Sequence, residues 1–253
     1  MPASDQSLLI VNADDFGWEP AMTDLTIESF GAGQISSATW LAHMADSQRA
    51  AEMAREHGLP TGLHLNLTDP YTGPDVPATE RDRHRDLCRH FATGRRLHLS
   101  SWTYDPRIQG EVEWALGTQL ERYHRVFDAS PTHVDGHNHV HVCPNVARAK
   151  ALRGLKRRNS IYAWPATRTA MGIARQVRRI LTYPRALTTN YLFDIARLGR
   201  RPEQLVAELG ESRRTSVEVM AHPGFGHEHD VLGSEPWRQA LDELPLGSYA
   251  DLT

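Results

Sequence analysis

Between Pro131 and Cys143 the chain reads Pro-Thr-His-Val-Asp-Gly-His-Asn-His-Val-His-Val-Cys, which places His133, Asp135, His137, His139 and His141 at two-residue intervals. Along an extended strand alternate side chains share a face, so the spacing predicts that these five point one way. Val134, Gly136, Asn138, Val140 and Val142 then point the other way. Four imidazoles and a carboxylate on one face are costly to bury without partners. A bound cation is the simplest partner for such a row, and a solvated strand with idle histidines is the alternative. The rest of the chain is read for what this segment lacks.

Leu8–Val11 is an apolar, β-prone run followed at once by Asn12-Ala-Asp-Asp-Phe-Gly17. That order reads as a buried strand delivering polar side chains at its C-terminal end. Pro20 suits the first turn of a helix running to about Phe30. A second strand is expected within 35–44, an Ala-rich helix over 46–57, and a third strand over 61–68 whose polar face carries His64. Residues 69–109 show weak periodicity and form a long insertion of the kind that covers sites. A helix is expected over 110–127, then the histidine strand, a basic helix over 145–158, a strand over 160–164, a helix over 168–181 and a strand over 188–193. Helix over 202–209, strand from Ser216 into His222-Pro-Gly224, helix over 235–244 and strand over 248–252 complete the chain. Strands alternating with helices imply parallel pairing. At 253 residues this favours one α/β domain over 1–253, a closed or nearly closed (β/α) barrel related to the TIM barrel, with a doubly wound open sheet next.

Net charge is −3 and basic residues are scattered, so nothing calls for nucleic acid or a membrane surface. Cys88 and Cys143 are too few for a disulfide framework. The N-terminus lacks the basic and apolar regions of a signal peptide, and no stretch approaches the roughly 18 apolar residues of a membrane span. A cytoplasmic protein is expected.

Barrel chemistry sits at the C-terminal ends of strands, and four such ends carry candidate groups: Asp14 and Asp15, His64, the histidine row, and His222. Each alone has an ordinary explanation: a helix cap for the Asp pair, a structural histidine at 64, a turn at 222. Together they supply two imidazoles and a carboxylate, a ligand set that leaves positions free for water. Adjacent carboxylates alternate direction on an extended backbone, so one of Asp14 and Asp15 would ligate while the other served as a base. His222 could protonate a leaving group.

Asn12-Ala-Asp-Asp-Phe-Gly17, Gly62-Leu-His-Leu65, the run from Pro131 to His141 and Glu218-Val-Met-Ala-His-Pro-Gly224 together resemble, in order, the motifs of the YdjC-like (ChbG-like) carbohydrate deacetylases. The resemblance spans roughly residues 8 to 225. It implies a barrel-like fold, a homodimer, and a divalent metal that assists removal of acetyl groups from N-acetylated sugars. Carried over by position, it implies Asp15, His64 and His137 as metal ligands, Asp14 as the base that activates water, and His222 as the acid. His133, Asp135, His139 and His141 are then supporting groups, with Asp135 suited to orient a ligating imidazole. Zinc or magnesium suits the ligand set first, manganese or cobalt next. The segment after Gly224 is short for the family, and its His227 and His229 read as loop residues. Trp164 and Arg168, on either side of Pro165, are placed to stack on and hydrogen-bond a sugar, or equally to serve as a core Trp and a surface Arg. A metal-dependent phosphoesterase or a sugar-binding protein that has lost the chemistry are the rival functions.

Overall fold

The structure, a computed structural model, describes residues 6–96, 103–159, 186–200 and 209–253, with only the backbone of 92–96. Trp164 and Arg168 lie outside the described residues, as do the strand expected at 160–164 and the helix at 168–181.

The strands are β1 (Leu8–Phe16), β2 (Ser37–Leu41), β3 (Thr61–Leu65), β4 (Val134–Gly136), β5 (Tyr191–Asp194), β6 (Ser216–Ala221) and β7 (Leu246–Gly247). The first six run side by side in the order β4-β3-β2-β1-β6-β5, every pair parallel, and β7 adds to the start of β1. Beyond β4 an extended segment bridges Val134 through Arg157, whose N–H donates to Leu187 O just before β5. The sheet therefore curls toward closure as an α/β barrel-like fold. The helices that cover it include α1 (Pro20–Gly31), α2 (Ser47–His57), α3 (Ala78–Arg96) and α4 (Gln109–Phe127). Pro20 does occupy the first turn of α1.

Strand alternation divides the molecule into two interiors. Leu9, Val11 and Ala13 of β1, Leu63 and Leu65 of β3, and Val217, Val219 and Ala221 of β6 point outward into one apolar core with α1, α2 and α4. Their neighbours point inward. At the lower end Leu8 and Ile10 pack with Tyr249 and Leu252. Above them the inner face is polar: Ser37 Oγ donates to Asn12 Oδ1, and Thr39 Oγ1 donates to Asp135 Oδ2. Stacking of inward side chains in layers is what fills a barrel of this kind.

The chain after α3 departs from the sequence expectation in three places. Residues 69–109, a long insertion of weak periodicity in the sequence, contain the 19-residue helix α3 over Ala78–Arg96. The expected helix over 145–158 is instead a four-residue helix α5 (Pro144–Ala147), a 3-10 turn at Lys150–Leu152, and the extended segment beside β4. The final strand is β7 at Leu246–Gly247, after which Tyr249 turns into the barrel. Its ring stacks on His133 at 3.7 Å, and Lys156 Nζ donates to the carbonyls of Tyr249 and Leu252, both at 2.6 Å. His133 reaches that position across Gly62: a Cβ there would lie 2.6 Å from His133 Nδ1 and 2.8 Å from its carbonyl O. Because backbone is part of the obstruction, Gly62→Ala should lower stability by about 1–3 kcal/mol, read as a lower urea midpoint with an unchanged slope.

Among the described residues no helix is long and apolar enough to cross a membrane.

Candidate metal centre and cleft

The histidine row does not lie on one strand face. β4 ends at Gly136, and the chain then coils through His137–Val142 with Asn138 (φ 53°) and His139 (φ 59°) left-handed. Gly136 permits this, since a Cβ there would stand 2.8 Å from Val140 Cγ2 and 2.9 Å from His141 N. The coil distributes the row. His133 and Asp135 stay inside the barrel, His137 swings toward β1, His139 lines the cleft, and His141 is buried beside it. Burial holds His133 down at about 3 and His139 at about 4, so both rings are neutral at pH 7.

β1 carries a second irregularity. Its register with β2 shifts between Ala13 and Phe16, and Asp15 sits at φ 61°. Strict alternation would send Asp14 and Asp15 to opposite faces. The bulge instead brings both carboxylates to one cleft, a common use of bulges beside functional sites. Asp15 Oδ1 lies 3.2 Å from His64 Nε2 and 2.7 Å from His137 Nδ1. One donor atom from each of Asp15, His64 and His137 falls within 4.8 Å of the others.

Each imidazole is held by a carboxylate on its other nitrogen. His64 Nδ1 lies 2.6 Å from Asp135 Oδ1, and His137 Nε2 lies 3.1 Å from Asp69 Oδ2. Carboxylate–histidine pairs of this type orient imidazoles toward a cation. Burial raises the Asp15 carboxyl, but its hydrogen bonds to His137 and His64 outweigh this and hold it well below the usual carboxylate range. Burial likewise lowers His64, and the neighbouring Asp135, Asp15 and Asp14 more than offset it, pushing the ring up to about 10. The donor set fits a divalent cation in chemistry, burial and support. A cation entering there would have to displace the protons held, so its affinity would fall in acid.

Asp14, His64 and Asp135 form another close acidic grouping, but the chain supplies its own cation there. The fully buried Arg158 donates through Nη1 to Asp14 Oδ2 at 2.5 Å, through Nη2 to Asp14 Oδ1 at 2.6 Å, and through Nε to Glu218 Oε1 at 2.7 Å. Nη1 also lies 2.8 Å from Asp135 Oδ2. Asn12 Nδ2 donates to Asp14 Oδ1 as well, and Tyr249 OH donates to Glu218. Asp14 is thus fixed by a two-pronged guanidinium contact, the strongest geometry available to such a pair.

On the other side of the cleft His222 follows β6. Its backbone N–H donates to Glu228 Oε2 at 2.6 Å, and its Nδ1 lies 3.2 Å from the same oxygen. Glu228 is buried on α6 (Gly226–Leu232), where the sequence suggests only a loop. Burial lowers the His222 ring, and the Glu228 bond with the charges of Asp14 and Asp15 carries it above its ordinary value. Asp14, Asp15, His64, His137 and His222 all line a cleft of about 250 Å³. Nothing in the sequence singles out Arg158, Glu228 or Asp69. Arg158 is one arginine among many, Glu228 is hidden by a helical turn, and Asp69 follows a strand with no spacing that marks it.

Residues 8–243 match the model of the YdjC-like protein family. The chain belongs to the YdjC-like family. A carbohydrate deacetylase of Mus musculus is 30% identical over 243 residues, which are 86% of this chain and 78% of that protein. A carbohydrate deacetylase of Geobacillus stearothermophilus is 31% identical, covering 94% of this chain and 87% of its own. A chitooligosaccharide deacetylase of Serratia marcescens is 29% identical, covering 98% and 100%. Among solved structures, an Enterococcus faecalis V583 protein described as a candidate cellobiose-phosphate cleavage protein superposes with a TM-score of 0.67 at 22% identity, covering 98% of this chain and 99% of that one. At that identity the match speaks for the YdjC-like chain's fold alone.

Proposed function

We propose that this YdjC-like protein is a metal-dependent hydrolase that removes the N-acetyl group from an acetylated amino sugar. The observation that carries the reading is the convergence of the Asp15, His64 and His137 donors beside Asp14 and His222 in one cleft. The names of the relatives support the reaction class. Asp15, His64 and His137 would hold a divalent cation, zinc or magnesium first, which supplies polarisation of the acetyl carbonyl and of the attacking water.

The chain's own groups do the rest. Asp14, held by Arg158 on one edge, accepts the water proton as oxygen adds to the acetyl carbon. His222, with Nδ1 toward Glu228, gives a proton from Nε2 to the sugar nitrogen as the C–N bond breaks. Acetate and the free amine leave. Asp135 and Asp69 keep His64 and His137 in orientation. A homodimer belongs to the proposal through the family resemblance, and a cytoplasmic location and one catalytic unit over 1–253 through the reading of the sequence.

The test is acetate release from a panel of N-acetylated sugars with the protein as purified, after chelation, and after return of single metals. Metal-restored acetate is expected; a protein that binds metal and releases none across the panel sinks the reading. His137→Ala should weaken zinc binding by more than about 100-fold, because losing a supporting group alone costs about 10–100-fold. His141→Ala should change it far less, and equal losses in a zinc titration would show that the wrong histidine was chosen. Glu228→Gln removes the negative charge of the acceptor that raises His222. The alkaline limb of kcat should then move to lower pH, since a proton donor is lost as pH passes its pKa, while zinc content stays constant.

A further inference from the structure

Among the described residues lining the cleft, Met220 and Phe225 are the apolar side chains; the others are carboxylates, imidazoles, Asn138 and Gly136. They differ in depth. Met220 lies on the inner face of β6, paired across to Asn12 of β1 and Asp194 of β5, and is 5% exposed. Phe225 sits at the rim, 45% exposed, with its ring 4.9 Å from that of His222 and inclined by 20°.

An N-acylated sugar brings two apolar pieces to such a site, one at each end of the amide. The acyl chain is bonded to the carbon under attack, and the C–H face of the pyranose is carried by the departing nitrogen. That nitrogen must face His222, so the sugar ring comes to lie along Phe225, which flanks His222. The acyl chain is left for the deeper part of the cleft, at the level where Asn12 and Met220 pair, one inward position before Asp14 and His222. Asn12, which holds Asp14 by a hydrogen bond of 2.9 Å, is the cross-strand partner of Met220.

We infer that Met220 is the floor against which the acyl methyl packs, limiting the substrate to short acyl groups, and that Phe225 is the platform for the sugar ring. This rests on the deacetylase reading above. Met220 is almost fully buried, so a longer acyl chain presses on its side chain, and each added methylene in such a pocket shifts kcat/KM by roughly 10–200-fold. A rim aromatic with a free face has no such size limit and contributes equally whatever the acyl group.

The experiment compares N-acetyl, N-propionyl and N-butyryl forms of whichever sugar in the panel releases most acetate. The unaltered protein should prefer acetyl over propionyl by about tenfold or more in kcat/KM, with butyryl lower still. Met220→Ala should reduce the acetyl-to-propionyl ratio by about tenfold, Met220→Leu should keep it, and Met220→Val replaces the alanine variant should that fail to fold. Phe225→Ala should raise KM for all acyl forms by one factor and leave the ratio alone, with Phe225→Tyr restoring KM. Release of butyrate as readily as acetate by the unaltered protein, or an unchanged ratio in a folded Met220→Ala, overturns the inference while leaving the deacetylase reading intact. No release of any acyl group with metal bound removes both.

Discussion

Replacing Asp14 by Asn is expected to lower acetate release by about 10²–10⁴-fold, the usual contribution of a positioned general base, with bound metal unchanged. Asp14 Oδ1 already accepts from Arg158 Nη2 and Asn12 Nδ2, and Oδ2 accepts from Arg158 Nη1. One lone pair on Oδ2 remains for a water proton. An amide at this position has no proton-accepting charge and turns an N–H₂ toward the guanidinium, so stability should also fall by about 1–3 kcal/mol. Metal content by elemental analysis and turnover on the same preparation separate the two effects. Loss of the metal instead would mean that the two adjacent aspartates exchange roles.

The largest loss of stability is expected from Arg158→Met. Arg158 is the shared cation for Asp14, Asp135 and Glu218, all buried with it. Removing one member of a buried ion cluster costs about 3–5 kcal/mol because the remaining charges lose their partner. Burial already raises the Glu218 carboxyl despite the attraction of Arg158 and the Tyr249 hydrogen bond. Without the guanidinium the orphaned carboxyls titrate higher in the folded than in the unfolded chain. The folded variant then binds more protons, so its deficit relative to the unaltered protein should shrink as pH falls from neutral toward 5. Adding Glu218→Gln should return part of the loss. A deficit in urea unfolding below about 1 kcal/mol, or one independent of pH, would show that Arg158 does not carry the cluster. Turnover should fall with stability, since Asp14 loses the clamp that aims it.

Much of the frame was legible in one dimension. The run Ser216–Ala221 alternates outward Val217, Val219 and Ala221 with inward Ser216, Glu218 and Met220, whereas Leu8–Val11 is apolar on both faces, and His64, Asp14, Asp15 and His222 stand where such strand runs end. Periodicity misplaces the histidine row, because it describes a strand only while the backbone stays extended. Gly136 and the left-handed Asn138 and His139 end it after three residues. Likewise the polar spacing around Arg158 looks helical, and only pairing with Val134 draws the segment out beside β4.

By itself, then, the sequence determined the parallel α/β arrangement, the residue types available to a cation, and the strand ends that carry them, because burial period and side-chain chemistry are local properties. Tertiary structure alone decided which carboxylate meets which cation. Asp14 goes to Arg158 across 144 residues and Asp15 to His137 across 122, pairings set by a bulge, a coil and the curl of the sheet. Charges in a buried site are stabilised by whatever partner lies within about 3 Å, and distance in space is the quantity that spacing along the chain does not contain.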